Sequence, residues 1–493
     1  MLRFRIRPFF FACVLLGSAS LAGAQSANAA LERALAAVRP ANIEADLRFI
    51  ASDELMGRDT PSSGQRIAAR FIRARLQRLH FVPMGDGEAP SAVEGDTRGY
   101  FDHYRMRRSA VDTEASHAKI ESGPAGSELA FGRDYYFYPT GAVALEREGE
   151  VVFAGEARAD EVASLDLEGK WALVFDSDLP WREREANLAA RGAIGCLVAT
   201  PPDRPDEHTA GRAARMASWV SRGQLQVVGS EEEGAVFPDD FVARGVAKKL
   251  AGGRDLSSLE PGAVLGTRFL ERRAVEDGAE EYELENVAGF WPGSDPELAK
   301  EVLIVSAHYD HVGVRDGQIY NGADDNGSGT CGLLAIAEAL AAHGPMKRSI
   351  LLLWVSGEEK GLKGSEAWTL APTLPEGYRA VSDLNIDMIG RNAPDYLLVT
   401  PTRDHPAYNR LTRMIEEVAP LEGFPELGSC DEYWERSDHR NFSVNLGIPV
   451  AFLFSDVHED YHQPTDTVDK IDFDKIARVS RVVVRMLDRL ARE

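Results

Sequence analysis

The sequence predicts an α/β fold, a mixed β-sheet sandwiched by helices, with a β-rich unit inserted into it. Three observations carry that expectation. Short, uninterrupted apolar runs at 302–306, 350–355 and 450–454 have the pattern of strands buried on both faces. An apolar helical stretch at 331–342 lies between the first two runs and stops at Gly344-Pro345, and another helical stretch closes the chain over 472–491. Residues 131–265 differ in texture, with β-rich runs at 149–153, 170–175 and 195–199 and a helical segment at 184–191.

From the N-terminus, Arg3, Arg5 and Arg7 precede an apolar stretch at 9–16, and Ala22-Gly23-Ala24 offers a small-residue cleavage site. This is the grammar of a cleavable export signal over 1–24, too short to span a membrane. An exported protein, periplasmic or secreted, is expected. Residues 31–80 read as helical, with Ile67, Phe71, Ile72, Leu76 and Leu79 forming an apolar stripe among arginines. The Gly- and Pro-rich residues 84–98 read as a loop. At 493 residues the chain exceeds what one hydrophobic core supports. The expected division is an N-terminal part of the main domain at 31–130, an insertion at 131–265, and the rest of the main domain at 284–493. The polar stretch after Gly266 is expected to lead the chain out of the insertion.

Composition excludes some functions. With 55 Lys+Arg against 78 Asp+Glu, the formal charge is −23, which argues against a nucleic-acid binder, since such proteins need a basic footprint. No stretch after the signal is long and apolar enough for a stable membrane span. Cys13 would leave with the signal, and Cys196, Cys331 and Cys430 are an odd, widely spaced set rather than a disulfide framework.

The chemistry concentrates between 308 and 462. His308 lies in Ala-His-Tyr-Asp-His, Asp325 in Gly-Ala-Asp-Asp-Asn-Gly-Ser-Gly, Glu359 in Ser-Gly-Glu-Glu, Asp387 in Leu-Asn-Ile-Asp-Met, and His462 in Tyr-His-Gln-Pro-Thr-Asp. Two imidazoles and three carboxylates suit zinc. One shared carboxylate would give two zinc ions three protein ligands each, with room for a water. The motifs fall at or after buried strands, where open α/β sheets build their sites. Asp310 is placed to fix the tautomer of His308, and Glu358, beside Glu359, is a candidate general base.

Two motifs compete. A literal Gly-x-Gly-x-x-Gly at Gly327, Gly329 and Gly332 does not directly follow a strand, and Asp324 and Asp325 ahead of it would repel a pyrophosphate. His458-Glu-Asp-Tyr-His462 is a literal His-Glu-x-x-His, a single-zinc site with Glu459 as base if both imidazoles share a helix face. Pro449 and Pro464 bracket it and argue against a sustained helix. In the polar, aromatic segment 432–439, Tyr433, Trp434 and Asp438 are candidates for shaping a substrate pocket, or simply for surface packing.

Taken in order, the five motifs resemble the co-catalytic di-zinc aminopeptidases related to bacterial leucyl aminopeptidase and glutamate carboxypeptidase, over about residues 284–493. Ser52-Asp-Glu-Leu-Met-Gly-Arg58 resembles the N-terminal part of members that carry an insertion, and 131–265 resembles their protease-associated domain. The resemblance implies a zinc-exopeptidase-like fold, peptide substrates with a free N-terminus, and two zinc ions per chain. It further implies that Asp325 bridges the metals, that His308 and Asp387 complete one site and Glu359 and His462 the other, and that Glu358 is the general base. The rivals are a non-catalytic or peptide-binding relative, the single-zinc peptidase, and a glutaminyl cyclase-like enzyme. All five ligand positions and the base are intact, which counts against a relative that has lost its ligands.

Overall fold

The computed structural model describes residues 28–86, 98–121, 126–138, 144–206, 210–221, 223–229, 237–275 and 280–492. The export signal expected over 1–24 and most of the loop expected at 84–98 lie outside the described residues. The chain forms two compact units, one of residues up to Tyr104 with Glu283–Glu493, the other Arg105–Tyr282.

In the first unit, four parallel strands form the heart of a mixed sheet, in the order Val450–Phe454, Arg379–Ile386, Glu301–His308 and Ser349–Val355. Antiparallel strands flank them, Leu398–Thr400 beside Val450–Phe454 and Glu280–Trp291 beside Ser349–Val355. Every residue of Ser349–Val355 and Val450–Phe454 is buried, which is why these strands read as continuous apolar runs rather than alternating ones.

The side-chain alternation of a strand then sorts one run onto two faces. Leu303 and Val305 pack into a core with Leu352 and the helices Pro40–Ile50, Ser63–Arg78, Gly329–His343 and Phe473–Leu490. Val302 and Ile304 pack on the other face with Leu351, Leu353, Trp368 and Phe442, the last two from the helices Lys363–Leu370 and His439–Leu446. Helices thus cover both faces of the mixed sheet. Gly329–His343 is apolar almost all round because it lies between the sheet and Phe473–Leu490. The latter is capped by Asp472, whose side chain accepts the Lys475 N–H.

The helix Ser63–Arg78 forms, but its buried face is Gln65, Ala68, Ala69, Ile72 and Leu76, while Ile67 is exposed. Small residues face the core because a buried polar pair occupies the space: Gln65 donates to the Tyr309 hydroxyl at 2.6 Å, and that hydroxyl donates to the Glu285 carbonyl at 2.6 Å. Two of its arginines pair with acids of the same unit, Arg70 with Glu285 and Arg75 with Asp46.

The second unit has an eight-stranded sheet. Leu145–Phe153, Trp171–Phe175, Gly195–Ala199 and Asp239–Val242 run parallel, and the helix expected at 184–191 is Trp181–Ala189. The unit extends beyond the expected 131 and 265 on both sides, since Val111–Glu121 pairs antiparallel with Val264–Val275. The polar stretch after Gly266 does not lead the chain out. It is a strand whose alternate residues are buried, and its charges are partly internal. Arg273 is fully buried, donates to Glu271 at 2.5 Å and Asp240 at 2.7 Å, and lies 3.7 Å over the Phe137 ring.

Candidate metal centre

All the ligand motifs converge at the C-terminal ends of the four parallel strands. His308 ends its strand, Asp387 directly follows Arg379–Ile386, and Glu358 and Glu359 lie on one helical turn just past Ser349–Val355. His462 comes from the loop after Val450–Phe454. Asp325 lies in the irregular turn Ala323–Ser328 ahead of helix Gly329–His343. Asp466, from the same motif as His462, holds this turn: its carboxylate accepts the N–H groups of Asp324 at 3.0 Å and Asp325 at 3.1 Å. Two motifs distant in sequence are joined at the residue placed to be shared.

The ligand atoms form two groups that meet at Asp325. In the first, His308 Nε2 lies 3.3 Å from Asp387 Oδ1 and 3.6 Å from Asp325 Oδ1. In the second, His462 Nε2 lies 3.0 Å from Asp325 Oδ2 and 3.2 Å from Glu359 Oε1. That group also contains His311, whose Nδ1 is 2.9 Å from Glu359 Oε1. Sequence reading missed His311. It stands in a motif whose first histidine already supplied a ligand, and spacing alone gave it no separate signal.

The electrostatics demand positive charge. Burial disfavours protonation of His308 and His462, yet the surrounding carboxylates hold both above the usual histidine range, His462 at about 10. Burial and Glu359 raise Asp325. Glu358, half-buried, is pushed well above the carboxylate range by burial and by Glu359, Asp438 and Asp387, against the pull of His308. Meanwhile His308 Nε2, both ring nitrogens of His311, Asp325 Oδ2, Glu359 Oε1 and Asp387 Oδ1 are buried without a hydrogen-bond partner. Buried polar atoms are normally paired. A cluster of unpaired nitrogen and oxygen ligands with an excess of carboxylates fits divalent cations, and its donor types suit zinc.

The supporting residues differ in part from expectation. The His308 ring contacts the Asp310 backbone carbonyl at 3.2 Å, with the carboxylate further off at 3.6 Å. The Asp310 carboxylate instead accepts the Glu358 N–H at 3.2 Å and the Thr60 hydroxyl at 3.0 Å, so it orients the turn that carries Glu358. A pocket opens onto Asp325, Glu358 and Asp387, with Tyr433 in its wall together with Phe452 and Phe454. Trp434 is not in that wall. It packs on His405 and His439, because its turn directs the ring toward helix His439–Leu446. Asp438 is also outside it, buried behind the site and accepting the Ser365 hydroxyl at 2.5 Å; burial pushes its carboxyl up to about 7. Arg436 and Ser437, which the sequence did not single out, do line the pocket, and Ser437 donates to Asp387 at 3.0 Å.

The competing motifs fail on geometry. Residues 459–462 form turns, not a helix, so His458 and His462 diverge. His458 Nε2 lies 3.3 Å from Asp324, and Glu459 faces solvent. The glycines at 327, 329 and 332 pack around the turn and helix start, where a side chain on Gly329 would strike the Asn326 side chain and the Ile386 carbonyl.

Known proteins share this part of the chain. A probable leucine aminopeptidase of Trichophyton verrucosum (strain HKI 0517) is 30% identical over 206 residues, 40% of this chain and 56% of that protein. The leupeptin-inactivating enzyme 1 of Streptomyces exfoliatus is 34% identical over 171 residues, 34% of this chain and 35% of that protein. The chain thus spans about half the length, or less, of these curated relatives. An aminopeptidase from Aneurinibacillus sp. strain AM-1 has a similar fold, with a TM-score of 0.56 at 19% identity over 94% of this chain and 96% of its own. Residues 286–487, the segment that carries all the ligand motifs, match the family described as Peptidase family M28.

Proposed function

We propose that this chain is an exported zinc-dependent aminopeptidase that removes N-terminal residues from peptides, with Glu358 as general base. The observation that carries this reading is the meeting of two ligand groups at Asp325, beside Glu358, at one pocket. His308, Asp325 and Asp387 would hold one zinc, and Asp325, Glu359 and His462 the other. Bound there, the two ions would polarise the scissile carbonyl and make hydroxide available near neutral pH.

The protein's own residues would do the rest. Glu358 would accept a proton from the attacking water and pass it to the leaving amine. Asp310 holds the Glu358 backbone, which fixes where that carboxylate points. Carboxylates at the site would match a free N-terminal amine, and the aromatic wall of Tyr433, Phe452 and Phe454 would receive the departing side chain. Export rests on the N-terminal signal pattern, and unit Arg105–Tyr282 is proposed as the protease-associated domain.

The test is a panel of aminoacyl chromogenic substrates on protein of known zinc content, each paired with its N-acetylated form. Two zinc ions per chain, loss of activity on chelation, recovery with zinc or cobalt, and no cleavage of acetylated substrates are expected. Active protein with one zinc or none, or efficient cleavage of acetylated peptides, would overturn the reading.

A further inference from the structure

We infer that His311 is a fourth protein ligand of the second metal site, beside Asp325, Glu359 and His462. The inference rests on the two-zinc reading above and adds one ligand to it.

Distances are the first ground. Around the second site, His311 Nδ1, His462 Nε2, Glu359 Oε1 and Asp325 Oδ2 are separated by 2.9 Å, 3.7 Å, 3.0 Å and 3.2 Å along the four measured edges. A tetrahedron of ligands at zinc's usual distance of about 2.0–2.1 Å has edges of roughly 3.3 Å. The four atoms therefore bracket the shell of one zinc ion.

The second ground is orientation. If His311 merely supported Glu359, its ring N–H would point at the carboxylate. At 2.9 Å the pair is close enough, yet neither His311 Nδ1 nor Glu359 Oε1 has a hydrogen-bond partner. The two atoms face past one another, as ligands of a common ion do. His311 is fully buried, so bulk solvent does not reach the ring.

The third ground is room. Gly322 opens the turn that carries Asp325, and a side chain there would come within 2.5 Å of Cγ and Cδ2 of His311. The absence of a side chain at Gly322 lets the ring lie against the turn. The His311 N–H also donates to the Arg58 carbonyl at 3.3 Å, anchoring the residue's backbone.

X-ray absorption on the zinc-loaded wild-type protein tests this directly. Three imidazoles shared between two zinc ions are expected, falling to two in His311→Gln. In zinc titrations monitored by metal content, His311→Gln should lose affinity at one site by more than the roughly 10–100-fold typical of a residue that only supports a ligand. Two imidazoles in the wild-type spectrum, or unchanged affinities in a folded His311→Gln, would overturn the inference and leave the two-zinc reading standing. A wild-type chain that takes up fewer than two zinc ions would overturn that reading itself. The wild-type spectrum decides even if the variant does not fold.

Discussion

Asp102 shows how a single side chain away from the metal centre can set a pH dependence. It is buried, accepts the Asn286 amide at 2.9 Å, and burial pushes its carboxyl up to about 7. The unfolded chain releases that proton near pH 4. Unfolding therefore releases a proton between pH 4 and 7, and the stability tied to the neutral form is complete below pH 4 and lost as pH rises through 7. An Asp102→Asn variant keeps an acceptor for Asn286 and removes the titration. Its stability relative to wild type, from urea unfolding, should climb between pH 4 and 7 by no more than about 4 kcal/mol. A difference that stays flat across that range would contradict the assignment. At this scale the sequence was only partly legible. Each of the five ligands stood in its own motif beside a strand, and the structure brings all of them together. His311, Asp466 and Ser437 work through contacts between distant segments, and no local spacing announces such contacts.

Between elements, the clearest joint is Arg58. Its guanidinium is fully buried and donates to four carbonyls: Ile50 at the end of one helix, Tyr309 beside His308, and Asn321 and Gly322 ahead of Asp325. The N-terminal segment Ser52–Arg58 thereby holds two ligand loops from below. Replacing Arg58 with Met should leave several buried carbonyls unpaired, each costing about 1–3 kcal/mol. A total loss on the order of 4 kcal/mol is expected in denaturation of zinc-free protein. A loss under about 1 kcal/mol would show that the joint is incidental. The fully buried strands were easy to find because both their faces are apolar. The strand Val264–Val275 was not, because a half-exposed strand shows its polar residues and its buried Arg273 looks like surface charge. Of the expected stripe on and beside the helix Ser63–Arg78, Phe71, Ile72, Leu76 and Leu79 pack on the core and Ile67 does not, while Gln65 buries a polar partner that apolar periodicity cannot report.

For the whole molecule, the mixed sheet sandwiched by helices could be read from three apolar runs and two helices, and the cluster at the strand ends follows from that topology. Carboxylates crowd His308 and His462 and make a divalent cation the natural counter-charge. No described helix is long and apolar enough to cross a membrane. In the proposed reaction hydrolysis runs at this shared site with Glu358 as base, and the two candidate bases separate it from the single-zinc alternative. Glu358→Gln and Glu459→Gln should be assayed on an aminoacyl chromogenic substrate with zinc counted in each. Glu358→Gln should keep two zinc ions and lose about 10²–10⁴ in rate, while Glu459→Gln stays near wild type. A near-wild-type Glu358→Gln, with Glu459→Gln inactive, would contradict it.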